Sequence, residues 1–324
     1  MTEIEMRVAI REAIDEEMQR DENIFILGEE VAEYHGAYKV TKGLLEKYSS
    51  KRVLDTPITE GGFSGLAIGA AMTGLRPIVE FMSFNFSFVA ADQIISNACK
   101  IFYMSGGKYS VPIVFRGANG AAAQVSSQHS HSVEAIYSNL PGLIILSPSN
   151  SYDAKGLLKT AIRNDNPVLF LENEVLYANK KEVPDEEYLI PIGSAKVVKP
   201  GKDITLISYS RAFHICQDAE KVLRDKGIDV ELIDLRSIKP LDLDTIIKSI
   251  KKTNSCVLVE EGHLYGGISS EVGFDIMKYC FDYLDAPVKR VCQRETPMPY
   301  SKVLENESLP NKERIVKAVL EVLA

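Results

Sequence analysis

Six short runs in the first half of the chain are almost wholly apolar: Ile24-Phe25-Ile26-Leu27, Val53-Leu54, Ile78-Val79-Glu80-Phe81, Ile113-Val114-Phe115, Leu143 to Leu146 and Val168-Leu169-Phe170-Leu171. A strand that is apolar on both faces must be covered on both, which a parallel sheet between two helical layers achieves. The amphipathic spacings of Asp92 to Met104 and Ser151 to Arg163 predict such helices between the strands. A polar, charged stretch from Ala178 to Tyr188 breaks the rhythm and reads as a linker. The alternation then restarts, with strands expected at Ile204 to Ile207, Val230 to Ile233, Cys256 to Val259 and Val288 to Val291. Helices are expected at Phe213 to Lys226, Asp244 to Lys252, Ser269 to Tyr283 and Lys312 to Leu323. The fold class is therefore α/β, with a parallel-sheet domain over residues 1–180 and a second α/β domain over 189–324.

Each half is long enough to bury its own core in a chain of 324 residues, 45% hydrophobic and 25% charged. A net charge of -8 argues against nucleic acid or an anionic membrane as the main partner. The longest apolar stretches, such as Leu143 to Leu146, fall far short of the roughly 20 residues that span a bilayer. Met1-Thr2-Glu3-Ile4-Glu5 leads into an amphipathic acidic helix and resembles neither a signal peptide nor an Arg-rich transit peptide. Five cysteines, an odd number with no C-x-x-C pair, suit reduced thiols in a cytosol or mitochondrial matrix.

Within this frame one acid stands out. Glu60 lies between the Val53-Leu54 strand and a Gly/Ala-rich helix, in Asp55-Thr56-Pro57-Ile58-Thr59-Glu60-Gly61-Gly62-Phe63-Ser64-Gly65. Two glycines in a first helical turn cost about 1 kcal/mol each against alanine, which implies a close approach to the backbone. Glu60 either serves a ligand or merely complements the helix N-terminus. Ligands of open parallel sheets gather at the strands' carboxyl ends. The loops holding Glu60, Phe84-Asn85-Phe86 and Gln128-His129-Ser130-His131 are accordingly expected to converge. The glycines match neither G-x-G-x-x-G nor a P-loop, no G-x-S-x-G occurs, and His129 and His131 have no metal-site spacing. These absences argue against nicotinamide dehydrogenase, P-loop, serine-hydrolase and zinc chemistry.

Eight segments in order carry a family resemblance: Gly28-Glu29-Glu30-Val31-Ala32, Gly36 to Val40, Asp55 to Glu60, Glu80 to Phe86, Tyr103 to Gly107, Gln128-His129-Ser130, Leu189 to Gly193 and Pro297 to Tyr300. Nearly end to end, the chain resembles the beta subunits of the decarboxylating component of 2-oxo acid dehydrogenase complexes, in the pyruvate dehydrogenase branch. The resemblance implies a thiamine diphosphate pyrimidine-binding domain followed by a transketolase-like C-terminal domain. It also implies half an active site, because the Gly-Asp-Gly motif that grips the diphosphate and Mg²⁺ belongs to the alpha subunit and is absent here.

By this resemblance Glu60 is the catalytic and cofactor-binding glutamate that hydrogen-bonds the pyrimidine ring and favours its imino tautomer. Phe86 is the aromatic packed against that ring, unless it is a plain core residue. His129 is a proton donor or oxyanion stabiliser near the thiazolium during acyl transfer to lipoamide; a surface or capping role is its alternative. His131, often glutamine in the family, is read as structural. Main-chain oxygens of Ile113, Ala161, Ile162, Asn164 and Asn166 match a structural K⁺ site, with Asn164 replacing a frequent aspartate. Glu295 matches an acidic position that meets the peripheral-subunit-binding domain of the lipoyl acyltransferase core; an exposed loop acid is the alternative. Ala118 and Gln124 depart from the family's proline and small residue. The small-residue face at Gly65 and Gly69 suits subunit packing or intrachain packing. The expected assembly is a heterotetramer of two alpha and two beta subunits. A branched-chain 2-oxo acid or acetoin dehydrogenase beta subunit is the nearest alternative, and a non-catalytic assembly module the alternative of another class.

Overall fold

A computed structural model describes residues 1–324, and the chain divides into two compact units. The first comprises Met1–Asn119 and Ile136–Ile192, the second Gly120–Ala135 and Gly193–Ala324. The chain thus leaves its first unit, visits the second, returns and leaves again. No helix is long and apolar enough to cross a membrane.

Elements of the first unit are β1 (Thr2–Glu5), α1 (Met6–Arg20), β2 (Ile24–Gly28), α2 (Leu44–Tyr48), β3 (Val53–Asp55), α3 (Glu60–Met72), β4 (Arg76–Glu80), α4 (Ile101–Met104), β5 (Val114–Ala118), β6 (Ile144–Leu146), α6 (Ser151–Arg163), β7 (Val168–Glu172) and β8 (Lys180–Val183), with α5 (Glu134–Ser138) where the chain returns. Six of these strands form a parallel array in the order β6-β7-β5-β4-β2-β3. β2, β5 and β7 are buried along their whole length, as runs apolar on both faces require. A core joins α1, α6 and the sheet through Ile10, Ile14, Ile26, Leu157, Leu158 and Phe170. At its rim, Lys155, Lys159 and Arg163 recur every four residues on α6 and meet α1 at Glu12, Glu16 and Glu17, at 2.6–2.8 Å.

Two expectations change in this unit. The stretch from Asp92 to Met104 is not one α-helix: a π-helical turn, Gln93–Ala98, precedes α4, and Cys99 donates its N–H five residues back to Ile94. The π turn re-phases the helix, so a 3.6-residue pattern reads straight across it. Part of the expected linker is a strand, for β8 pairs antiparallel with β1, matching Thr2 with Val183 and Glu5 with Lys180. Its polar sequence fits a two-stranded ribbon whose β8 side chains are mostly exposed.

The second unit holds β9 (Lys196–Lys199), β10 (Ile204–Ser208), α7 (Ser210–Asp225), β11 (Val230–Asp234), β12 (Ser237–Lys239), α8 (Leu243–Thr253), β13 (Cys256–His263), α9 (Ile268–Cys280), β14 (Lys289–Gln293), α10 (Lys302–Ser308) and α11 (Lys312–Val322). Its sheet runs β14-β13-β10-β11-β9, parallel except for the antiparallel edge strand β9. On one face Ile204 and Leu206 pack with Phe213, Leu223, Ile315 and Val319 of α7 and α11. Thr205, on the other face, meets Ser249 and Thr253 of α8 at 2.7 Å.

Candidate functional site

β2, β3 and β4 are neighbours in the sheet, so the segments leaving their carboxyl ends lie side by side. Glu29 follows β2, Glu60 opens α3 after β3, and Phe86 sits in a 3₁₀ turn, Phe84–Phe88, after β4. Glu60 and Glu29 are both buried, and the Glu60 carboxyl is close enough to raise the proton affinity of Glu29. Two carboxylates this close cannot both ionise cheaply, so Glu29 resists losing its proton. Burial first, then the charge and hydrogen bond of Glu60, push the Glu29 carboxyl up from 4.5 to about 7.

Around the pair, three buried polar atoms have no partner within the chain: Glu29 Oε1, Thr56 Oγ1 and Ser64 Oγ, the last on α3 one turn beyond Glu60. Leaving each unpaired costs about 1–3 kcal/mol, which a polar ligand or water would recover. These residues fit a heteroaromatic ring with nitrogen and amino groups, which offers both donors and acceptors. The first turn of α3 lies against the Phe86 turn: a Cβ on Gly61 would stand 3.4 Å from Val89 O. Gly62 faces Thr59 and Gly65 faces Gln93, both within the chain, while Gly69 faces open space.

Phe86 is half-buried on a turn fixed from beneath. Phe84 is fully buried, edge-on to both Phe81 and Tyr137, and Tyr137 donates its hydroxyl to Ser87 Oγ at 2.9 Å. Behind the loops, Arg116 donates two bonds to Glu172 and one to Glu80, and Tyr177 adds its hydroxyl to Glu172 at 2.6 Å. All four side chains are buried.

The segment carrying His129 belongs to the second unit, whereas Glu60 and Phe86 belong to the first. Its supports are Glu305, which accepts from Gln124 N at 3.1 Å, and a small cluster of Ala121, Met298 and Leu309. Gln124 and Ser126 both have positive φ, and Ser130 closes the bend by donating to Ser126 O at 2.6 Å. His131 faces solvent, yet partial burial, then His263 and His129, hold its imidazole below the ordinary value. Glu295 is exposed in the loop after β14.

At the C-terminal end of α6, the oxygens of Ile113, Ala161, Ile162 and Asn164 each accept one N–H. Val168 N and Asn164 N serve the first two, and Arg76 the others, at 3.0 and 2.7 Å. Every carbonyl keeps a second lone pair, so the donor set fits K⁺ in kind, shared with Arg76. The Asn164 side-chain oxygen is committed to Asn166 N at 2.9 Å.

Comparison with known proteins follows this geometry. Residues 2–180 match the transketolase pyrimidine-binding domain and residues 193–315 the transketolase C-terminal domain. "Pyruvate dehydrogenase E1 component subunit beta" of Rickettsia felis is 52% identical over 320 residues, covering 99% of this chain and 98% of the relative. The chain belongs to the pyruvate dehydrogenase E1 beta family. Its mitochondrial members from Dictyostelium discoideum and Homo sapiens are 50% and 51% identical, each covering 99% of this chain and 91% of the relative. A solved "Split gene transketolase, inactive beta4 tetramer" shares the E1 beta fold, with a TM-score of 0.81 over 99% of this chain and 98% of that one at 21% identity. The fold is transketolase-like, a pyrimidine-binding domain followed by a C-terminal domain. Sequence reasoning on this E1 beta chain passed over Glu29 as a site residue, although an acid at the end of a buried strand was the available signal.

Proposed function

We propose that this chain is the beta subunit of a pyruvate dehydrogenase, which with an alpha subunit decarboxylates pyruvate and transfers the acetyl group to the lipoyl group of an acyltransferase. The observation that carries this reading is the buried Glu60 carboxyl, set beside Glu29 among unpartnered polar atoms. Thiamine diphosphate, when bound, supplies the electron sink that decarboxylation of a 2-oxo acid needs. Glu60 would share a hydrogen bond with a ring nitrogen of the bound pyrimidine, and Glu29 beside it would hold a proton. The Phe86 ring offers a flat apolar face that excludes water from the pyrimidine. His129 would move a proton at the acyl-transfer step. Residues 1–180 would take the pyrimidine, and residues 189–324 would form the C-terminal domain.

A second chain belongs to this reading. Without a Gly-Asp-Gly motif here, the diphosphate and Mg²⁺ fall to the alpha subunit. The first unit also exposes Phe102, Tyr103 and Met104 beside an apolar groove of about 640 Å³, a surface suited to a subunit partner. K⁺ would be held by main-chain oxygens of Ile113, Ala161, Ile162, Asn164 and Asn166, and Glu295 would meet a basic group of the acyltransferase's peripheral-subunit-binding domain. The test is CO₂ release from pyruvate and from a branched 2-oxo acid, with thiamine diphosphate and Mg²⁺, by the chain alone and mixed with its alpha subunit. Activity in the mixture alone, selective for pyruvate, is expected; activity of the isolated chain, or silence in both, sinks the proposal.

A further inference from the structure

The turn that carries Glu29 is tied to the strand that leads to Glu60. Asp55 closes β3, opposite Gly28 of β2. Its Oδ1 accepts from Ala32 N at 2.7 Å and its Oδ2 from Glu33 N at 3.1 Å. Thr56 N donates to Gly28 O at 3.0 Å, so the backbones on either side of the two acids are also joined. Two successive N–H groups thus converge on one carboxylate. Earlier in the same turn Glu30 has φ of 58°, at a torsional cost a non-glycine residue meets only where surroundings enforce it. At the inner end the turn has no slack, since a Cβ on Gly28 would lie 2.4 Å from Glu80 O.

We infer that Asp55 is a positioning residue whose carboxylate fixes the turn that brings the Glu29 carboxyl against Glu60. This rests on the reading of Glu60 as the cofactor's hydrogen-bond partner. The ionisable groups around Glu29 are Glu60 from α3, Asp55 from β3, Glu30, Glu33 and His35 from its own turn, and Glu80 from β4 with Arg116 behind it. Of these, Glu60 perturbs Glu29. With Asp55 removed, the two N–H groups lose their anchor, the turn relaxes and the carboxyls separate.

The experiment is the pH dependence of thiamine diphosphate affinity in the assembled complex, for the wild type and for Asp55→Ala, Asp55→Asn and Glu29→Gln. In the wild type, affinity falls as pH rises through the Glu29 titration, near 7. Asp55→Ala moves that fall acidward by about one unit or more, a tenfold change in the pair's proton affinity. Asp55→Asn, which retains one accepting oxygen, moves it less. Glu29→Gln removes the step, and adding Asp55→Ala then changes nothing further. A step that stays near 7 in Asp55→Ala, in a complex that melts normally, overturns the inference; if that variant does not fold, an unmoved step in Asp55→Asn does so. Glu60→Gln separates the two ideas: wild-type cofactor affinity and turnover in that variant defeat the reading of Glu60, whereas a defective Glu60→Gln beside an unshifted Asp55 variant defeats only the role of Asp55.

Discussion

Two buried carboxyl arrangements in the first unit have opposite chemistry. Glu80 and Glu172 flank Arg116, whose positive charge and five donors satisfy both acids, whereas Glu29 and Glu60 face each other with no cation between them. The first arrangement is a fixed scaffold and the second a proton store. For the scaffold, Arg116→Leu leaves two acids buried without their partner and is expected to lower unfolding free energy by about 3–5 kcal/mol in urea titration. For the store, Glu60→Gln keeps the shape and removes the carboxyl charge beside Glu29. CO₂ release by the mixed subunits should drop about 10²–10⁴-fold while size-exclusion elution is unchanged. In the second unit Cys216 and Cys256, whose burial raises their thiols to about 12, are inert core residues.

Among the elements, a tight crossing joins the π-helical region to the entry of β6. Gly142 has φ of 90°, and a Cβ there would sit 2.4 Å from Cys99 O, so both torsion and backbone contact demand glycine. Gly142→Ala is expected to cost about 1–3 kcal/mol, read as a lower thermal midpoint. Such contacts explain what could be read from the chain in advance. The helix Ser151–Arg163 was legible to the residue, because a side-chain cap from Asn150 to Asp153 N starts it and one apolar face runs its length. The strands were legible because their runs are apolar on both faces. The π turn at Gln93–Ala98 was not, since periodicity averages over a single extra residue per turn. β8 was not, because its polar pattern acquires meaning only from β1, far away in sequence. At the site, Glu60 was visible in its motif, while Glu29 and Asp55 matter through each other's geometry, which no local pattern encodes.

At the scale of the whole molecule, the proton store links activity to stability. Glu29 is raised above its ordinary value of 4.5 to about 7, so the native chain holds a proton that the unfolded chain releases within that window. Its contribution is fully present below about 4.5 and is lost as pH rises through 7. The difference in urea midpoint between wild type and Glu29→Gln should therefore shift against the wild type from pH 5 to 8. A difference independent of pH contradicts the assignment.

The excursion of Gly120–Ala135 into the second unit also orders events during synthesis. The ribosome delivers His129 long before Met298, Glu305 and Leu309, the groups that support its segment. A nascent chain can thus build the sheet bearing Glu60 while the His129 loop waits for the last helices to emerge. Those supports arrive only when translation is nearly finished, so a chain terminated before Met298 would carry the sheet bearing Glu60 without the groups that hold the His129 segment.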